Sequence, residues 1–263
     1  MYFCFVLKSN NLSVGYYKNN NEQIVVSKIN IDITKNKLIA LIGKNGSGKS
    51  TLLKTIIGLN QKLDGNIILN DKNIEEYNQK QLSTKIAYVS SRIIEQNNLT
   101  VYNLISLGRL PYTNWFGYLT EADKEKINEI INKLALSAFK EKEFSTLSDG
   151  EKQKVLIARA LVQDTKIIIL DEPSSHLDLA GKYELTSLLK NIVQNENKII
   201  IFSSHDINTA FHNADCIWMI HNAELLMDKP ENYRTKSEFR ELFNNSSLSE
   251  NDTEKIIENI IPN

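Results

Sequence analysis

The chain has 263 residues, with 31 Lys and Arg against 32 Asp and Glu and a formal net charge of −1. That length suits one large domain or two small lobes and can bury a sizeable core. The near-neutral balance removes any whole-chain reason to expect nucleic-acid binding. The only cysteines, Cys4 and Cys216, lack metal-ligand spacing and read as idle thiols of a reducing compartment.

Met1 to Leu7 is apolar but far too short to span a bilayer, and it lacks the basic start and cleavage site of a secretory signal. It reads as an edge strand. No other stretch approaches membrane-spanning length, so the chain is expected to be soluble or attached to a membrane only through a partner. Apolar stretches at 3–7, 24–26 and 29–33, split by the polar loop Lys18 to Glu22, predict a small sheet over residues 1–36. Within it, Leu12 to Tyr17 sets two aromatics beside a glycine. Spacing leaves two readings open: an aromatic that stacks on an adenine ring, or simple sheet packing.

Lys37 to Ile42 (KLIALI) has the near-continuous apolar character of a strand buried on both faces of a parallel sheet. It runs into GKNGSGKST, Gly43 to Thr51, which fits the phosphate-loop pattern. Leu52, Leu53, Ile56 and Ile57 follow at helical spacing, and Gly58 supplies a stop. Gly43, Gly46 and Gly48 let backbone N–H groups converge on one anion, and the helix adds its positive dipole end. Lys49 brings a mobile charge to the outer phosphates, and the Ser50 hydroxyl is suited to magnesium. The candidate nucleotide contacts in the loop are Gly43, Asn45, Gly46, Ser47, Gly48, Lys49, Ser50 and Thr51.

Leu63 to Leu69 reads as a strand entered through an Asp-Gly turn, and Ile86 to Val89 as another. Residues 92–165 change to helical periods, which predicts an inserted helical lobe. Thr120 and Asp123 form a weak capping box before the apolar face of Ile127, Ile130, Ile131 and Leu134. LGRLPYTNWFGY, residues 107–118, is either a packed corner or a docking surface. Ser148 and Glu151 form a good capping box, and Gly150 would let a phosphate approach that helix start.

Ile167 to Leu170 is a fully apolar strand that ends in Asp171-Glu172-Pro173. Acids at the carboxyl end of a buried parallel strand stand where ligands bind in such sheets, and ionised acids there call for a cation. Asp171 suits magnesium, and Glu172 suits the orientation or deprotonation of a water. Lys198 to Phe202 repeats the pattern and ends at His205, which can bond a terminal phosphate. Ile217 to Ile220 reads as the last core strand. From about residue 236 the chain turns polar and helical, a tail that either packs as an appendage or stays mobile.

In this order the motifs resemble the ATP-binding subunit of an ABC transporter, over about residues 10–225. GKNGSGKST resembles Walker A and IIILDEP resembles Walker B. LSDGE, residues 147–151, resembles the signature motif, Ser175 to Asp178 the D-loop and Ser204-His205 the switch histidine. Tyr16 aligns with the aromatic that stacks on adenine. The implied fold is α/β: a phosphate-loop NTPase core (ABC ATPase) with a small antiparallel β-subdomain and an inserted α-helical subdomain. The expected ABC ATPase domain is 1–235, with core and β-subdomain in 1–90 and 160–235 and the helical subdomain in 91–159. Residues 236–263 are the C-terminal helical tail.

The resemblance implies ATP hydrolysis with magnesium, Glu172 and His205 being catalytic and Ser50 and Asp171 metal-holding. Ser148 and Gly150 would act on the ATP of the partner subunit in a homodimer, with Asp178 in the D-loop. It further implies two transmembrane permease subunits, whose coupling helices dock near 91–118, an external substrate-binding protein, and a place on the cytoplasmic face of the cell membrane. Residues 101–123 look like the helical lobe of importers for iron-siderophores, haem and cobalamin. The alternative is a soluble, non-transport ABC ATPase of the cluster-assembly or repair type. Two positions depart from the pattern. Ser91 stands where importers carry a glutamine that ligates magnesium, and Asp149 replaces a signature glycine and is expected to point away from an incoming triphosphate.

Overall fold

The computed structural model describes residues 6–18, 21–90, 98–243 and 250–261. By internal packing the chain forms two units, Met1–Glu76 with Thr186–Asn263, and Tyr77–Leu185.

The first unit is built on strands whose order across the sheet is Lys72–Asn73, Asp64–Leu69, Leu7–Lys18, Asn21–Ile29, Glu224–Asp228, Cys216–His221, Leu38–Gly43 and Ile199–Ser203. The last three are parallel. Leu38 to Ile42 and Ile199 to Ser203 are buried at every position, which is why both read as continuous apolar runs. Glu224–Asp228 runs antiparallel to Cys216–His221 and meets Asn21–Ile29 at Glu224 and Ser27, which joins the antiparallel strands to the parallel ones.

The expected edge strand is corrected at its described end. Val6 N donates to Ile33 O and Val6 O accepts from Asn70 N, and Leu7 pairs with both Ile33 and Leu69. This segment therefore lies inside the sheet. Cys216–His221, buried over Ile217 to Ile220, is followed by one more strand that is only partly buried. It turns through Asn222 and Ala223, whose φ values of 47° and 61° are those of a two-residue hairpin turn, into Glu224–Asp228.

The tail packs on this unit. Phe239 is fully buried, with its ring centroid 4.8 Å from that of Phe211 and 6.1 Å from that of Tyr233. The Tyr233 hydroxyl donates to Ile217 O and Leu226 O, and Arg240 forks onto both Glu254 carboxylate oxygens. Ile257, Ile260 and Ile261 are buried as well.

The second unit holds one parallel pair, Ile86–Val89 with Ile167–Leu170, and the helices Gln79–Ser83, Val101–Ser106, Glu121–Lys133 and Asp149–Val162. The sequence puts the boundaries of the helical lobe at 91 and 159. The packing places these two strands with the helices. Gln163, at the end of Asp149–Val162, donates its amide to Ser83 O and Ile86 O. Thr120 and Asp123 form the full reciprocal capping box, and Ile127, Ile130, Ile131 and Leu134 are buried as their spacing predicts.

LGRLPYTNWFGY divides between the two readings. Gly108 packs so tightly that a Cβ there would lie 2.3 Å from Arg159 O. Arg109 donates from Nε to Asp123 Oδ1 at 2.7 Å and from a terminal nitrogen to Val162 O at 2.9 Å, with its guanidinium 4.1 Å from the Tyr112 ring centre. Trp115, by contrast, is 96% exposed, and Phe116 and Tyr118 are exposed beside it.

Candidate functional site

In the first unit, Leu38–Gly43 delivers the loop at its carboxyl end, and the helix Lys49–Ile56 leaves from it. Gly48 caps that helix in the left-handed region at φ 102°, and a Cβ there would stand 2.2 Å from Val25 Cγ1, so only glycine fits. No acidic residue lies in the first helical turn, which leaves its positive dipole end without a local carboxylate. Lys49 is 5% exposed and folds back across the loop, donating from Nζ to Gly43 O at 3.0 Å and Lys44 O at 3.4 Å.

The Ser47 hydroxyl is buried with no hydrogen-bond partner. A buried hydroxyl left unmatched is costly, and this one lies in the glycine loop whose carbonyls Gly43 O and Lys44 O hold the Lys49 ammonium. That chemistry fits a phosphate chain. Asn45 and Gly46 are exposed at the loop tip, and Ser50 is half-buried. Tyr16 is half-exposed, and its hydroxyl hydrogen-bonds the Thr51 hydroxyl. His205 is exposed and follows Ile199–Ser203, the parallel neighbour of the loop strand, at the same strand end. The turn around it is fixed by Ser204 Oγ accepting from Asp206 N and by Asp206 capping the next helix at Thr209 N.

A cavity of about 1010 Å³ in this unit opens at the opposite, amino ends of the strands, among Lys37, Phe211, Cys216 and Ile260. Burial pushes the Cys216 thiol up from its ordinary value, so it stays protonated and inert. Cys4 lies outside the described residues.

In the second unit, Asp171 closes the parallel pair: its N–H donates to Val89 O at 2.9 Å, and the residue is 2% exposed. Tyr88, on the neighbouring strand, donates its hydroxyl to Asp171 Oδ2 at 3.3 Å. Burial first, then the Asp171 charge, pushes that phenol above its ordinary value, so it remains a donor. Nothing in the local sequence points to this contact, since its partners are 83 residues apart.

Glu172 is half-buried and stands at φ 52°, in the left-handed region that a non-glycine residue enters at a cost. Asp178 is exposed and caps the start of Leu179–Glu196 by accepting from Gly181 N at 2.8 Å. Ser148 caps Asp149–Val162. Its N–H and hydroxyl both donate to Glu151 Oε2, at 2.8 and 2.7 Å, and these bonds hold the Glu151 carboxyl below its usual range. Asp149 is exposed, and the space a Cβ would take at Gly150 is open. Ser91 lies outside the described residues.

Among the described residues no group of three or more His, Cys, Asp or Glu is placed to cage a metal. The Ser50 hydroxyl in the first unit and the Asp171 carboxylate in the second are each a hard oxygen. Oxygens of that kind suit magnesium, which takes few protein ligands and completes its shell with phosphates and water. No helix among the described residues is long and apolar enough to cross a membrane.

A glycine loop with a folded-back lysine at the end of a buried parallel strand defines a phosphate-loop nucleotide-binding protein. A sequence model of the ABC transporter family matches residues 26–175. An uncharacterized ABC transporter ATP-binding protein of Methanocaldococcus jannaschii is 40% identical over 248 residues, 93% of this chain and 84% of that protein. The iron(3+)-hydroxamate import ATP-binding protein of Bacillus subtilis is 34% identical, over 78% of this chain and 74% of that protein. Among solved structures, a chain of an inward-facing ABC transporter provisionally assigned to the metal-chelate type superposes with a TM-score of 0.79 at 28% identity, covering 91% of this chain and 89% of that one.

The chain belongs to the ABC transporter family, as an ATP-binding subunit with ATPase activity that powers transport. The soluble repair or cluster-assembly alternative is not favoured.

Proposed function

We propose that this chain hydrolyses ATP to drive import of an iron chelate of the siderophore, haem or cobalamin type. It works as a homodimer bound to two permease subunits at the cytoplasmic face of the membrane, with an external binding protein selecting the cargo. The observation that carries the ATPase part is the phosphate loop, with Lys49 folded over Gly43 O and a buried Ser47 hydroxyl left unmatched. The cargo class is supported by the iron(3+)-hydroxamate import relative and by the LGR-x-P stretch at 107–111. The exposed Trp115, Phe116 and Tyr118 provide the apolar contact that permease docking near 91–118 calls for.

Phosphoryl transfer needs little covalent work from the protein, so the assigned roles are positioning and charge stabilisation. The amides of Gly43 to Gly48, with Asn45 and Ser47 at the loop, cradle the β- and γ-phosphates. Lys49 balances their charge, and Thr51 closes the first helical turn beneath them. Ser50 and Asp171 hold magnesium, with Ser91 a further candidate. Magnesium, when bound, would supply positive charge that offsets the negative charge on the phosphate oxygens. Glu172 orients the attacking water and accepts its proton, His205 steadies the γ-phosphate, and Tyr16 stacks on the adenine. Ser148 and Gly150 act on the ATP of the partner subunit, and Asp178 lies in the D-loop between them. ATP that binds the closed dimer more tightly than the open one supplies the differential affinity that moves a transporter between two states.

The test is reconstitution into vesicles with the permease that co-purifies from membranes. ATP-dependent uptake of an iron(III)-hydroxamate supports the reading. Recovery of an active enzyme with no membrane partner, or uptake of an unrelated cargo, contradicts it.

A further inference from the structure

Tyr88 is a polar side chain that reaches the candidate magnesium residue without having a role in the reading above. It lies on Ile86–Val89, opposite Ile169, and its hydroxyl donates to Asp171 Oδ2 at 3.3 Å. We infer that Tyr88 is a positioning residue for the magnesium carboxylate: by holding one oxygen of Asp171 it presents the other in a fixed orientation to the metal that arrives with the nucleotide.

The inference rests on the assignment of Asp171 to magnesium. The side-chain torsion of an aspartate is broad and roughly two-fold. A directional hydrogen bond to one oxygen narrows it, because it favours the half of that range in which Oδ2 faces Tyr88. Asp171 is 2% exposed, and little solvent is available to take over the bond. Partners that orient a ligating group from behind are typically worth about 10- to 100-fold in metal affinity. At 3.3 Å this bond belongs at the low end of that range.

The experiment measures the equilibrium affinity for a non-hydrolysable ATP analogue in excess magnesium and in EDTA. The ratio of the two dissociation constants reports what the metal adds, independently of turnover. Tyr88→Phe, which removes one oxygen and keeps the ring, lowers that ratio about tenfold and leaves the affinity in EDTA within about twofold of the parent. An unchanged ratio overturns the inference, and so does equal weakening under both conditions, which marks a structural role. Asp171→Asn separates the two assignments. If it abolishes the gain from magnesium while Tyr88→Phe does not, only the Tyr88 role falls. If Asp171→Asn also leaves the gain intact, the magnesium assignment fails and the Tyr88 role with it.

Discussion

The Tyr16 hydroxyl bonds the Thr51 hydroxyl, linking the strand Leu7–Lys18 to the first turn of the helix that leaves the phosphate loop. The ring itself stays half-exposed, so it is anchored at its polar tip while offering a face to a ligand. An aromatic held in this way suits the proposed base stacking, which is worth about 1–3 kcal/mol per base. Tyr16→Ala should therefore weaken ATP binding about tenfold. Affinity for inorganic tripolyphosphate, which has no base, should not change. Equal loss for both ligands in an equilibrium titration removes the stacking role.

Two glycines of the second unit differ in what surrounds them. A Cβ at Gly108 meets Arg159 O at 2.3 Å, whereas one at Gly150 meets nothing within 4 Å. Gly108→Ala should cost about 2 kcal/mol through overpacking against backbone. Gly150→Ala should leave stability unchanged or slightly raised, since alanine favours the helix. If Gly150 acts on the partner subunit's ATP, that variant still loses hydrolysis, by about tenfold or more. Thermal midpoints and phosphate release, measured on both variants, separate these effects.

Asp123 is 5% exposed, accepts from Thr120 and bonds Arg109, and these partners hold its carboxyl below its ordinary value of 3.8. A lowered value in the folded state means the contribution is complete above pH 3.8 and fades as pH falls through the folded-state value. Asp123→Asn should cost about 2 kcal/mol at neutral pH by leaving Arg109 short of its charge partner. The gap between parent and variant in urea midpoints should narrow below about pH 4. A gap that widens with acid contradicts this account.

Glu172 occupies φ 52°, where glycine is at ease and other residues pay about 1–2 kcal/mol. Glu172→Gly should therefore be as stable as the parent to within about 1 kcal/mol, while hydrolysis collapses. Glu172→Val, β-branched at the same φ, should be less stable than the glycine variant by about 1 kcal/mol or more. Chemical denaturation of the pair checks both statements. If the valine form is the more stable, the backbone at 172 is not strained.

Much of this architecture was legible because its strongest signals are local. Ile86–Val89 and Ile167–Leu170 fall where the apolar runs place them, and the Thr120 and Ser148 caps form between residues three apart. Glu224–Asp228 carries no strong local signal for a physical reason: it is partly exposed along its length, and its turn uses Asn222-Ala223 at positive φ with no glycine to announce it. The aromatic stretch at 107–118 stayed open because composition does not show which rings find partners. Arg109 pins Tyr112 inward, and Trp115 is left outside. The bonds of Tyr16 to Thr51 and of Tyr88 to Asp171 join residues 35 and 83 apart, and nothing in either local sequence specifies them.

ATP binding and phosphate release measured side by side on Glu172→Gln bear most directly on the proposed chemistry. The amide keeps the size of the side chain and removes its capacity to take a proton. ATP affinity should match the parent, and phosphate release should fall by a factor of roughly 10² or more. Turnover near the parent's rate would contradict the role given to Glu172, and with it the mechanism built around that residue.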